Sequence, residues 1–275
     1  MTLSEKTNGL YYDVPFEDYI ACEAINASAL KEFRKSPLHF QLARNFQRKP
    51  TEALQFGRVV HTLVLEPEKF WLEYACLADD VDLRTTQGKN MRKDAMERHP
   101  GKTIIRNAEF KAAEKIAENI KKHSKISPFL SKAKREISIK WDIDGIACKG
   151  RIDAYVESRG IILDLKTTQN VTTKVFSKSI WQYGYHYQAA WYQRGLHALG
   201  YPADKFVFIA VESSSPYGVK VYELDDDVLR TAQQKIDEWL IIYQMCESTK
   251  SWPGYSDDIE IISLPSWAKD VEEES

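Results

Sequence analysis

Lys149-Gly150-Arg151-Ile152-Asp153-Ala154-Tyr155, then a short polar turn, then Ile161-Ile162-Leu163-Asp164-Leu165-Lys166-Thr167-Thr168 read as the two arms of a β-hairpin. Both arms are rich in β-branched, aromatic and aliphatic residues, and Glu157-Ser158-Arg159-Gly160 carries the polar and glycine signals of a tight turn. With the turn centred on Ser158-Arg159, facing residues have numbers summing to 317. Asp153 then stands directly opposite Asp164, with Cβ atoms about 5 Å apart. Side chains alternate faces with period two, so Lys166 shares a face with Asp164. Two carboxylates and an ammonium converge. Like charges directly opposite in a sheet are destabilising, and the simplest compensation is a divalent cation held by oxygen ligands.

A solvated sheet face on which Lys166 neutralises the acids would account for the same residues without chemistry. The flanking residues weigh against it. Ile161 to Leu163 is apolar on both faces, which sets Asp164 at the end of a buried strand, where a charge is costly unless paired or metal-bound.

Working outward, the period is already two from Lys134. Ile137, Ile139, Trp141 and Ile143 alternate with polar neighbours, and Asp144-Gly145 turns the chain into the strand that holds Asp153. This predicts an antiparallel meander, in which Glu136 either approaches the two carboxylates from the first strand or, the reading preferred, stands as an exposed acid at a strand end. Upstream, a helix is predicted from Thr51 to Leu65, stopped by Glu66-Pro67, with His61 on its apolar face. A histidine on an apolar stripe is more often a hydrogen-bonded core residue than a ligand. Gly57, one turn earlier, makes room beside the imidazole. Asn26 and Ser36 read as helix caps, and Ala78 to Asn90 as a loop. A helix is predicted from Asn107 to His123. Downstream, helices are expected over 172–183 and 186–199, strands over 206–211 and 219–222, and a helix from Asp225 to Cys246. Gln188 and Tyr192 share a helix face, where packing alone would explain them.

Asp153, the eleven-residue step to Asp164, and Asp164-Leu165-Lys166 resemble the signature of the PD-(D/E)xK nucleases, with Asp as the second acid. Gly57-Arg58-Val59-Val60-His61, Gln188-Ala189-Ala190-Trp191-Tyr192 and Leu264-Pro265-Ser266-Trp267 narrow the likeness to the RecB-like and RecE-like (exonuclease VIII type) exonuclease branch, over nearly the whole chain. The resemblance implies that His61, Asp153 and Asp164 hold Mg²⁺ or Mn²⁺, with the Leu165 carbonyl as a further ligand. The imidazole would favour Mn²⁺. Lys166 would orient the attacking water and help deprotonate it. Gln188 would reach toward the Lys166 side of the site or the DNA backbone. The activity implied is a metal-dependent exodeoxyribonuclease that degrades one strand of linear double-stranded DNA from its end for recombination. A single-strand annealing protein would be its partner, and a homo-oligomeric ring such as a tetramer its assembly. A restriction-type endonuclease of the same fold and a non-catalytic DNA- or protein-binding module are the alternatives; the intact Asp153, Asp164 and Lys166 argue against the module.

The fold expected is α/β: a central mixed β-sheet flanked by helices, restriction-endonuclease-like. The whole of 1–275 would be one nuclease domain, with a helical N-terminal portion (1–70) carrying His61, a catalytic core (134–247) and a disordered acidic tail (268–275). With 275 residues, 43% hydrophobic and 12% aromatic, the chain can bury a core of that size. No apolar run suggests a secretory signal or a membrane span, so a cytoplasmic location is expected. Cys22, Cys76, Cys148 and Cys246 are too widely spaced for a zinc ribbon, and the one early and three late cysteines of an iron–sulfur cluster, found in some RecB-like nucleases, are missing. Net charge is −2, yet 223–275 carries −10 and the first 222 residues +8. The basic stretches 31–50 and 111–140 are either solvated helix faces or phosphate contacts.

Overall fold

The computed structural model describes residues 2–45, 51–78 and 81–264. The acidic tail and Pro265 to Trp267 lie outside the described residues. The chain opens with an edge strand, β1 (Gly9–Tyr11), and four helices: α1 (Phe16–Ala21), α2 (Ala27–Leu30), α3 (Pro37–Asn45) and α4 (Glu52–Leu65). The side chains of Asn26 and Thr51 accept the N–H groups of Ala29 and Leu54, so α2 and α4 begin where the sequence signals place them. Next come α5 (Phe70–Glu73), β2 (Tyr74–Cys76), α6 (Thr86–Arg98) and β3 (Thr103–Ile105), with β2 and β3 paired in parallel as a small separate sheet. The loop predicted up to Asn90 is thereby corrected. Thr85 Oγ1 accepts the Gly88 N–H and starts α6, a cap concealed among polar residues. Then follow α7 (Asn107–Lys122), α8 (Ser127–Leu130), β4 (Lys134–Ile143), β5 (Ile146–Val156), β6 (Ile161–Thr168), α9 (Thr173–Tyr183), α10 (Tyr185–Ala198), β7 (Lys205–Glu212), β8 (Val219–Glu223) and α11 (Asp226–Thr249).

The main sheet has the order β1-β4-β5-β6-β7-β8. Only β6 and β7 run parallel, joined by the α9–α10 crossover, and every other pair is antiparallel. Two tight turns set the meander. Asp144 (φ 50°) and Gly145 (φ 83°) are both left-handed, as a two-residue hairpin needs. A 3₁₀ turn over Glu157–Arg159 ends at Gly160 (φ 59°), where a Cβ would lie 2.6 Å from Asp204 Oδ2.

Helices cover both faces of this mixed sheet. Trp141, Tyr155, Ile162, Phe206 and Phe208 pack with Phe176, Trp191 and Trp239 from α9, α10 and α11. On the other face Leu163, Leu165, Ile209 and Val211 pack with Val60 of α4 and Ile116 and Ile120 of α7. Alternation along β6 therefore sends Ile162, Asp164 and Lys166 toward α10, and Leu163 and Leu165 toward α4. Gly57 lets α4 cross β6 closely, since a Cβ there would lie 3.2 Å from Thr167 Oγ1.

Several bases in the two basic stretches are occupied by main-chain carbonyls. Arg34 donates to the carbonyls of Trp181 and Gln182, and Lys31 to that of Tyr183. Arg135 donates to Leu65 and Leu130, and Lys140 to Leu3, Ser4 and Lys6. For these four residues, tying segments together replaces the reading as phosphate contacts. The four cysteines are unpaired. Among the described residues no helix is long and apolar enough to cross a membrane.

Candidate active site

The register predicted for the hairpin is present: Ala154 faces Leu163, Tyr155 faces Ile162 and Val156 faces Ile161. The ladder stops there, which corrects the direct pairing of Asp153 with Asp164. Asp153 instead turns Oδ2 onto the Leu165 N–H at 2.8 Å, so a side chain replaces the main chain as acceptor. The ladder on the other side of β5 is interrupted at the same level. Arg135 faces Ala154 and Ile137 faces Ile152, but Glu136 and Asp153 between them are unpaired. Glu136 has φ 47°, a conformation that costs a non-glycine residue about 1–2 kcal/mol. Glu136, Asp153 and Asp164 thus share one row across three strands, where both ladders open. Three like charges across adjacent strands supply the reason.

Glu136 is half-buried rather than the exposed acid predicted. Its Oε2 accepts from Arg151 Nε at 2.7 Å. One ligand atom each from His61, Glu136 and Asp153 lie within 4.8 Å of one another. The missed signal was available. A turn at Asp144-Gly145 makes facing numbers sum to 289, which brings Glu136 across from Asp153.

α4 carries His61 over the same opening. Its Nε2 lies 2.7 Å from the Leu165 carbonyl oxygen and its Nδ1 3.6 Å from Asp153 Oδ2. With the neutral ring's proton on Nε2 toward Leu165, Nδ1 and the carboxylate face each other as two acceptors, which need a proton or a cation between them.

Asp164, only 1% exposed, is held on the α10 side. Its Oδ2 lies 2.5 Å from Lys166 Nζ, and its Oδ1 accepts from Gln188 Nε2 at 3.0 Å. Gln188 therefore reaches the carboxylate next to Lys166, and its Nε2 also lies 3.1 Å from Tyr192 Oη. The Lys166 ammonium sits 4.9 Å from the centroid of the Tyr185 ring. Of the four ligands the resemblance implies, His61, Asp153 and the Leu165 carbonyl are brought together. Asp164 is engaged one strand away, and Glu136 takes a place in the cluster.

Burial pushes the Asp153 carboxyl up to about 6. The carboxylates of Asp164 and Glu136 add to the rise, while His61 and Lys166 oppose it. For Lys166 burial works against the charge, but Asp164 and Asp153 outweigh it and hold the ammonium above its ordinary value. Burial raises the Tyr192 phenol well above its usual range, so it stays a neutral hydroxyl. The donor set of an imidazole, carboxylates and a main-chain carbonyl fits a divalent cation.

Residues 26–265 match the sequence profile of a PDDEXK-like domain of unknown function, DUF3799. No curated protein matches the chain. Among solved structures the fold is similar to that of a protein from Eubacterium rectale described as a candidate exonuclease, with a TM-score of 0.63 and 16% identity over 95% of this chain and 98% of that one. A phage-related exonuclease from Haemophilus somnus 129PT aligns with a TM-score of 0.36 and 13% identity, over 83% of this chain and 96% of that one, too weakly to carry an argument.

Proposed function

The chain belongs to the PDDEXK-like family DUF3799, and from that membership we propose that it is a divalent-metal-dependent deoxyribonuclease acting as an exonuclease on linear duplex DNA. The observation that carries the reading is the acidic row of Glu136, Asp153 and Asp164, opened in both ladders, with His61 and the Leu165 carbonyl on one side and Lys166 on the other.

In this reading His61, Asp153, Glu136 and the Leu165 carbonyl would hold Mg²⁺ or Mn²⁺, with Asp164 beside them on β6 holding Lys166. The cation supplies positive charge for the phosphate and acidifies water. Asp153 is fixed by the Leu165 N–H through Oδ2, which leaves Oδ1 without a hydrogen bond to the main chain of β6. Lys166 is held charged by Asp164 and cannot accept a proton in that state. It orients water and donates to a phosphate oxygen, and it becomes a proton acceptor only if the Asp164 charge is taken up elsewhere. Gln188 keeps the Asp164 carboxylate aimed while Tyr192, neutral, backs the amide.

Exonuclease is favoured over endonuclease by the description of the Eubacterium rectale neighbour together with the RecE-like motifs. The RecE-like motifs are the ground for proposing a single nuclease domain over 1–275, recombination as the setting and an annealing protein as partner. A ring assembly gains some support from exposed Ile241 and Met245 on α11, an apolar stripe that a second copy could cover. The decisive experiment incubates purified protein with linear and covalently closed duplex DNA, with Mg²⁺, Mn²⁺ or chelator. Metal-dependent shortening of linear DNA, with circles spared, is expected. No cleavage with either metal overturns the nuclease reading, and nicking of circles at the rate of linear DNA replaces exonuclease by endonuclease.

A further inference from the structure

Residues 165–203, which lead from the candidate site through α9 and α10, contain no Asp or Glu, although the 275-residue chain has 40. They include Lys166, Lys174, Lys178 and Arg194. A stretch of this length brings no carboxylate of its own toward a polyanion. The α11 acid Asp237 pairs with Arg194 on α10, which leaves α9 as the part whose bases have no such partner among the described residues.

α9 turns the basic and aromatic part of that stretch outward. Lys174, Lys178 and Trp181 recur at i, i+4 and i+7, a single helix face, and both lysines are exposed. Among the described residues neither lysine has a carboxylate partner. Trp181 is 68% exposed and Tyr183 50%. The Trp181 indole stacks on His186, with centroids 5.6 Å apart and 7° between the planes. Tyr183 meets Tyr185 at 5.6 Å, and Tyr185 lies beside Lys166. Tyr183 and Tyr185 therefore lead from the α9 surface to the Lys166–Asp164 pair, with the Trp181–His186 stack beside them on the same helix end.

This surface is held in place before any ligand arrives. Arg34 and Lys31 engage the last three carbonyls of α9, and Gly184 ends the helix in the left-handed conformation. Large apolar rings left in water on a rigid helix end are stacking platforms, and duplex DNA hides the base faces that would use them.

Resting on the nuclease reading above, we propose that the exposed face of α9 and its C-terminal turn bind single-stranded DNA at the Lys166 side of the site, with Trp181 and Tyr183 stacking on bases and Lys174 and Lys178 contacting phosphates. The single strand is the one separated from its complement as the duplex is degraded.

The test measures binding of a fluorescent oligothymidylate, and of a duplex closed by hairpin loops, in chelator so that nothing is cleaved. The double variant Trp181→Ala/Tyr183→Ala should bind the single strand about 10-fold or more weakly and the closed duplex nearly as the wild type does. Lys174→Gln/Lys178→Gln should flatten the salt dependence of single-strand binding by about 1.4 in log–log slope. All four side chains are exposed, so both variants should fold, as circular dichroism will show. Unchanged single-strand affinity and salt slope overturn the proposal, while metal-dependent cleavage by the wild type leaves the nuclease reading standing. Equal loss of single-strand and duplex binding also overturns it, because the surface would then be a general duplex contact. If the wild type cleaves nothing but the variants lose single-strand affinity as stated, the nuclease reading fails and the binding surface stands.

Discussion

Glu136 and Asp153 stand across from each other on neighbouring strands without a ladder bond between them, and Glu136 adopts φ 47° at that place. The backbone is distorted where the acids gather, a pattern that belongs with sites in which strain is offset by function. Glu136→Gly relieves the left-handed conformation and removes one of three neighbouring negative charges, but also deprives Arg151 of its partner. Loss of the partner of a largely enclosed guanidinium outweighs the strain relieved, so the metal-free variant should be less stable than the wild type by about 1–2 kcal/mol, while its affinity for Mn²⁺ falls about 10-fold or more. Denaturant melts in chelator and calorimetric Mn²⁺ titration measure the two quantities. Undiminished Mn²⁺ affinity would remove Glu136 from the ligand set.

Asp164→Asn should abolish metal-dependent cleavage. From the sequence, relief of a carboxylate pair leads one to expect a metal-free protein that is no less stable. The structure reverses that expectation, because the residue is buried against Lys166 and its loss leaves a largely enclosed ammonium without its closest partner. A destabilisation of about 2–3 kcal/mol is expected. Wild-type cleavage by this variant in Mg²⁺ would end the site's candidacy.

The raised pKa of Asp153 gives stability a definite pH dependence. With a folded value of about 6 against an ordinary 3.8, the native state holds this proton more tightly than the unfolded one. The stability so contributed is complete below about pH 4 and is lost as pH rises through about 6. In chelator, the melting temperature of the wild type should fall over that interval more than that of Asp153→Asn. Cation affinity should weaken as pH drops through the same range, because the proton competes for the carboxylate. Identical pH profiles for the two proteins would contradict the assignment.

Lys166→Ala should reduce turnover by about 10²-fold or more, with duplex affinity close to that of the wild type. Lys166 points into the acidic row rather than outward, so it acts on the reacting groups more than on the grip. Single-turnover rates and binding isotherms separate the two effects, and a parallel loss of both would make Lys166 a phosphate anchor.

Self-association is expected through the exposed apolar stripe of α11. Ile241→Glu/Met245→Glu should lower the sedimentation coefficient at working concentration and shorten the tract degraded before release in the presence of trap DNA. A wild-type protein that sediments as a monomer at all concentrations rules the ring out.

The hairpin register was legible in the sequence because two local signals settle it: the polar turn ending at Gly160, and the period-two pattern of its arms. The same holds for α4, where Thr51 and Glu66-Pro67 mark both ends and the apolar spacing orients His61. Glu136 escaped this kind of reading. Alternation presumes an unbroken ladder, and here repulsion among three acids on three strands opens it. The bases Lys31, Arg34, Arg135 and Lys140 read as possible phosphate ligands, yet each closes on carbonyls of a segment distant in sequence. Gln188 was placed on the right helix, but that it grips Asp164 depends on the α9–α10 crossover between β6 and β7. Caps, turns and periodicity act over a few residues and can be read along the chain. Which charges meet, and which polar groups satisfy one another, is set by desolvation and packing between strands and helices that only the folded chain brings together.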